Sequence, residues 1–315
     1  MPVLLDISTD TEITLPLSVY RFEYEALDKI MLPEQPGVLW HSQFGKTLRN
    51  LVCIVKNTAC EQCLFLHQCD YTRLFQGTKP PDTAIMRKYN AIPSPHIIQS
   101  AHQQDKVIAA GETLSVDIVL PGQANTRAAT LIKTLYHLGQ HGLGYKNGRI
   151  NLKQVTQYLA NGQTLELLSE GSLAEATAPQ IIPIPVAPET CRISLLTPYK
   201  PSGNAGSVDI SRYLMAIIRR VDLIQYFYTG QKLQADFPHL KTLTQAITVT
   251  VQSVRKEKGQ RYSAALGKLK DTSGFVGHID LDLRECEELW PFLWVGQWLG
   301  VGKNASMGFG QYQVS

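Results

Sequence analysis

No apolar run reaches the roughly 18 residues that a membrane-spanning helix needs, so a transmembrane segment is not expected. The first residues, MPVLLDISTDTE, lack the basic-then-apolar order of a secretion signal, which makes a cytoplasmic protein the expectation. Charge of one sign is also scarce. The 30 Lys and Arg against 27 Asp and Glu leave a formal net charge of +3, too little to announce a nucleic-acid partner from bulk electrostatics. The glycine-rich end of the chain lacks the phosphate-loop pattern of nucleotide hydrolases, because Asn304 rather than Ser or Thr follows Lys303 and the segment leaves a helix for a strand. What is present is a globular composition, 44% apolar and 18% charged, in 315 residues: enough for one large domain or two ordinary ones.

Periodicity sets out two similar halves. Over 12–27, Ile13, Leu15, Leu17 and Val19 alternate with polar neighbours, and then Tyr20, Phe22 and Tyr24 take over; the one-residue slip predicts a bulge or strand change near Val19. Pro33, Pro36 and Gly37 precede a helix over 38–52, whose buried face is Trp40, Phe44, Leu48 and Leu51. A hairpin arm fits 107–120 and a helix fits 125–139, closed by the glycine-rich turn at 141–148. The Ala, Pro and Gly of 171–190 read as a linker. A strand at 191–197, a long helix over 209–229 capped by Asp209 or Ser211, strands at 244–255 and 274–283, a helix over 285–299 and a last strand complete the second half. The expected class is α+β: two tandem ferredoxin-like (βαββαβ) domains, 1–175 and 190–315, joined by a linker over 176–189.

Cys53, Cys60, Cys63 and Cys69 are spaced C-x6-C-x2-C-x5-C. In a reducing compartment that cluster reads as a metal site rather than as disulfides, and four thiolates suit a closed structural zinc. Four thiols packed together without a metal, an iron–sulfur cluster, and His67 as a substitute ligand are the alternatives. Structural zinc contributes on the order of 10 kcal/mol to folds of this kind.

The thin net charge is unevenly spread. Residues 255–270 carry Arg255, Lys256, Lys258, Arg261, Lys268 and Lys270 against Glu257 alone, with Tyr262 among them. Such a segment suits an RNA backbone with a base stacked nearby; a solvated surface hairpin is the plain alternative. At the C-terminus, Gly300, Gly302, Gly308 and Gly310 surround Lys303, Asn304 and Ser306, with Phe309 in the same loop; glycines there let backbone N–H groups approach a phosphate, or simply form a turn.

Taken in order, FGKTLRNLVC, the cysteine cluster ending in CDYTRLF, GQHGLGYKNGRINL, RYSAALGKLKDTSGFVGHI and GVGKNASMGFGQYQV resemble the CRISPR pre-crRNA-processing endoribonucleases of the RAMP superfamily. The resemblance implies metal-independent cutting of a CRISPR repeat RNA with a 2′,3′-cyclic phosphate on the upstream fragment. It also implies a catalytic histidine in or beside the first helix, often with a tyrosine and a lysine. His41 matches that place, Tyr24 is the tyrosine candidate and Lys46 the lysine. A helical Lys46 lies about 140° from His41, so either His41 precedes the regular helix or Arg49, about 80° away, supplies the cation. Packing explains the same residues without chemistry: Tyr24 shares the apolar phase of Tyr20 and Phe22, and His41 adjoins Trp40 and Phe44. The RNA-binding set is then Arg49, Arg255, Lys256, Lys258, Arg261, Tyr262, Lys268, Gly302, Lys303, Asn304, Ser306, Gly308 and Phe309. Expected partners are the repeat RNA and subunits of a CRISPR effector complex, with no membrane. A non-cutting RAMP scaffold that holds guide RNA, or a zinc-stabilised nucleic-acid-binding protein outside CRISPR systems, would share many of these features.

Overall fold

The computed structural model describes residues 12–81, 83, 85–86, 92–103, 106–144, 146–169, 172–201, 206–263 and 267–315. In the first half, β1 (Pro16–Ala26) is followed by α1 (Pro36–Val52), β2 (Ile97–Gln99), β3 (Thr113–Pro121), α2 (Ala128–His141), β4 (Ile150–Tyr158) and β5 (Thr164–Ser169). They form an antiparallel sheet in the order β2-β3-β1-β4-β5, to which the two-residue strand Ser172–Leu173 is added, while Gln180–Ile181 pairs with β1. The second half runs β6 (Thr190–Tyr199), α3 (Ile210–Thr229), α4 (Phe237–Ala246), β7 (Thr248–Glu257), β8 (Gln260–Ser263), β9 (Lys268–Asp271), β10 (Gly274–Asp282), α5 (Trp290–Gly296) and β11 (Tyr312–Val314). Its sheet has the order β7-β10-β6-β11, and β8 pairs with β9 beyond the ends of β7 and β10.

Alternation decides which face of β1 is covered. Tyr20, Phe22 and Tyr24 are wholly buried, whereas Val19, Arg21, Glu23 and Glu25 are not. The buried phase does change, with Leu17 and Ser18 both covered, yet the ladder to β3 runs unbroken from Leu17 to Glu25. The register shift lies elsewhere, between Glu23 and Tyr24 in the pairing with β4. In α1, Trp40, Phe44 and Leu48 are buried against that sheet, each worth roughly 1.5–3 kcal/mol in removed apolar surface. Leu51, expected on the same face, is exposed.

Several boundaries differ from the expectation. The helix expected from 125 starts as a 3₁₀ turn over Gly122–Arg127, and the one expected over 285–299 is a 3₁₀ turn, Glu287–Leu289, followed by a helix of only seven residues. The strand expected from 244 begins at Thr248, because α4 occupies the preceding segment with Asp236 accepting from the N–H of His239. Of the two expected caps of α3 it is Asp209 that serves, its carboxylate accepting from the N–H of Arg212 at 3.0 Å, and Gly230 ends that helix at φ 75°. No helix among the described residues is long and apolar enough to cross a membrane.

The two halves are sewn together by side-chain amides at β2. Buried Gln311 donates to the Ile98 carbonyl and accepts from the N–H groups of Ser100 and Ala101, while Gln99 donates to the carbonyls of Gln297 and Trp298.

Candidate active site

α1 meets the second half near its start. A Cβ on Gly37 would lie 2.3 Å from the Met307 carbonyl oxygen, and one on Gly308 would lie 3.5 Å from the Gly37 Cα, so the C-terminal glycine loop is held against the first turn of the helix. One turn further on stands His41. Its ring centroid is 4.6 Å from that of Phe75 and 5.2 Å from that of His96. Phe75 is set there by a single π-helical turn, Thr72–Gln76, and stacks on His96 at 5.2 Å with the planes 12° apart. Gly45 leaves the room: a Cβ there would come within 2.3 Å of the Phe75 ring.

Burial in this cage pushes the His41 pKa well below its ordinary value, and the charges of His96 and Arg261 act in the same direction. His41 is therefore a neutral imidazole near pH 7, able to accept a proton. His96 is fully buried; its Nδ1 lies 2.9 Å from the Leu74 carbonyl oxygen, which makes Nδ1 the donor and leaves Nε2 the acceptor. Nε2 has no hydrogen-bond partner, and burial pushes the pKa of this histidine down to about 4. The cation whose charge reaches His41 comes from the second half. Arg261, on β8, is half-buried, and its Nε is enclosed without a hydrogen-bond partner among the described residues. A neutral imidazole of the first half thus lies within reach of a guanidinium charge of the second.

The other candidates distribute differently. Tyr24 corrects the expectation: it is 0% exposed, stacks at 5.4 Å on Trp40, and its hydroxyl donates to the Leu135 carbonyl at 3.1 Å, so it presents no atom to a substrate. The regular helix begins at Pro36, before His41, so exposed Lys46 projects from a different side of α1. Arg49 is also not at His41: its guanidinium lies 5.8 Å over the Tyr71 ring, and its charge reaches Cys60. Phe309 is 1% exposed and Gly308 is buried against Gly37 and Ile98, which removes both from the expected RNA-contacting surface. Gly302, Asn304 and Ser306 are half-buried and Lys303 is exposed. Arg255, Lys256, Lys258 and Lys268 are exposed on the hairpin arm, Arg255 reaching Glu257 only at 4.0 Å; the side chain of Tyr262 lies outside the described residues.

The cysteines sit in irregular chain between α1 and the π-helical turn, whose end is tied to α2 by Asp70 accepting from Arg127 at 2.8 Å and from Thr130. All four are free and half-buried. Burial raises the Cys60 pKa, Arg49 opposes that, and the neighbouring Cys53 and Cys69 add to it, so these three thiols sense one another. Among the described residues no three metal-ligating side chains are drawn into a cage.

A family model of a CRISPR-associated endoribonuclease, Cas6, matches residues 193–312, and the model of an N-terminal domain, AF_1859_N, matches residues 15–180. The second half of the chain therefore matches the Cas6 endoribonuclease family. No curated protein matches it by sequence. Among solved structures, Thermus thermophilus Cas6 superposes with a TM-score of 0.54 at 12% identity, over 96% of this chain and 100% of that one. A Cas6 product complex superposes at 0.55 and 14% identity, over 95% and 99%. A partial Cas6-RT-Cas1–Cas2 complex superposes at 0.52 and 13% identity, over 96% of this chain and 46% of that longer one. At such identities these likenesses speak for the fold, a mixed α/β one built on antiparallel sheets. The residues that spacing did not reveal are Phe75 and His96, which carry no periodic signal and join His41 only in three dimensions.

Proposed function

We propose that this chain is an endoribonuclease that cuts CRISPR repeat RNA without a catalytic metal, leaving a 2′,3′-cyclic phosphate on the upstream fragment. The observation that carries this is the neutral His41 imidazole within reach of the charge of Arg261, whose Nε is enclosed without a hydrogen-bond partner among the described residues. His41 takes the proton of the ribose 2′-hydroxyl at the cut, the freed oxygen attacks the adjacent phosphorus, and the bond to the 5′-oxygen breaks, that oxygen taking a proton from solvent. Arg261 steadies the charge on the pentavalent phosphate. The exposed Arg255, Lys256, Lys258 and Lys268 of the hairpin arm, with Lys303 and the half-buried Gly302, Asn304 and Ser306, hold the flanking backbone.

The strand orders β2-β3-β1-β4 and β7-β10-β6-β11 support reading each half as a ferredoxin-like βαββαβ unit, domains 1–175 and 190–315 with 176–189 between them. The Cas6 product complex supports repeat RNA as the substrate class, and the Cas6-RT-Cas1–Cas2 assembly supports association with other CRISPR proteins. Cys53, Cys60, Cys63 and Cys69 would hold a structural zinc, which supplies cross-linking and no reaction step; the spacing of four soft donors in one short segment favours it. Purified protein should carry about one zinc per chain, lost on Cys60→Ser; metal-free protein of unchanged stability would remove the site.

The test is cleavage of RNA carrying the repeat from the neighbouring array, in excess chelator, beside the same RNA with 2′-deoxy nucleotides. The intact RNA is cut and the deoxy RNA is not. His41→Ala slows cutting by roughly 10²–10⁴-fold. A His41→Ala protein as fast as the parent removes the histidine, and RNA bound tightly but never cut leaves a guide-RNA scaffold.

A further inference from the structure

Beside the glycine loop, α3 and the segments around Pro93 and Tyr199 enclose a groove of about 540 Å³. Arg212, Arg219, Arg220 and Lys303 line it, opposed by the single carboxylate of Asp209. That carboxylate is already engaged: it caps α3 through the Arg212 N–H and reaches the Arg212 guanidinium at 3.4 Å. Arg219 and Lys303 are exposed and, among the described residues, take part in no ion pair.

Arg220 is the unusual member. Its Nε donates to the Leu299 carbonyl at 2.9 Å, but among the described residues its enclosed Nη2 has no partner and no carboxylate offsets its charge. Taking a guanidinium out of water without a counter-charge is costly, and burial here pulls its pKa down to about 10. An anion entering the groove would relieve that cost, and a guanidinium fork suits a phosphate. The groove comes near the cage already described, since Pro93, which lines it, precedes His96 by three residues, and the His96 ring is 5.2 Å from that of His41.

We infer that this groove is a second phosphate-binding track, in which Arg220, flanked by Arg212, Arg219 and Lys303, takes backbone phosphates of the RNA whose scissile bond lies at His41. The inference rests on the nuclease reading and extends it to α3, a helix that the sequence presents only as core and cap. Shape and charge alone are read there, so the track takes single-stranded RNA without regard to base.

The test uses full-length protein in a His41→Ala background, which keeps the RNA whole, and fluorescence anisotropy of labelled repeat RNA at several salt concentrations. Arg212→Gln combined with Arg219→Gln should weaken binding several-fold and lower the slope of log K against log salt by about 1, as expected for the loss of one or two single-strand phosphate contacts at roughly 0.7 each. Arg220→Met should weaken binding on the order of tenfold, and RNA should no longer raise its Tm as it raises that of the parent. Its Tm without RNA should hold or rise, because a merely structural arginine would show the opposite. If the parent binds RNA while either variant keeps the parental Kd and slope, the track is wrong and the nuclease reading stands. If the parent binds no RNA, both fall.

Discussion

Tyr24 and His96 show how differently two buried polar side chains behave at residue scale. The Tyr24 hydroxyl has a backbone acceptor and no route to substrate, so Tyr24→Phe should leave the rate of RNA cutting at the parental value while costing about 1 kcal/mol in urea unfolding. A large fall in rate with stability intact would restore it as a participant. His96 is held neutral, with a folded-state pKa of about 4 against an ordinary value of 6.5. The unfolded chain therefore takes up a proton between those pH values that the folded protein refuses, and stability is lost as pH falls from about 6.5 towards 4, by on the order of 3 kcal/mol. His41 acts in the same direction. In His96→Asn, which keeps a donor for Leu74, the difference in unfolding free energy between pH 7 and pH 4.5 should shrink; an undiminished difference would place the acid sensitivity elsewhere.

At the scale of elements, α1 works by what its glycines leave open. Gly37→Ala puts a methyl group into the Met307 carbonyl, backbone against side chain, with no flexible atom to yield. The expected result is a loss of roughly 1–3 kcal/mol together with slower cutting, since the glycine loop and the start of the helix can no longer close to the same distance. Full activity and stability in this variant would mean that their contact is incidental. The helix itself was legible in the sequence, because Trp40, Phe44 and Leu48 repeat at helical spacing and Pro36 marks its start. The alternation in β1 and the cap of α3 were equally plain. The cage was not. Phe75 lies in a π-helical turn inside an irregular segment, His96 precedes a three-residue strand, and neither leaves a repeating pattern. The fit of Arg261 to His41 spans 220 positions of chain, and spacing carries no record of so distant a meeting; the sequence showed a basic segment and a histidine, separately. α4 escaped for a related reason, its pattern of FPHLKTLTQA burying only Leu240 and Thr244.

Across the whole molecule, Gln311 joins the two halves through a single side chain. It is 3% exposed, and its one amide serves three backbone groups of the first half, at Ile98, Ser100 and Ala101. Gln311→Ala removes the partner of the Ile98 carbonyl and the Ser100 N–H, both in buried surroundings, and should cost about 1–3 kcal/mol for each left unsatisfied. Calorimetry checks it: a lowered Tm, with the single transition broadening or splitting as the halves lose their coupling. An unaltered scan would show that other contacts suffice.

Because the imidazole belongs to one half of the chain and the guanidinium to the other, the reacting corner proposed above exists only while the seam is shut. Any change that lets the halves slide, however far from His41, should register first as lost turnover, with RNA still held by the basic hairpin.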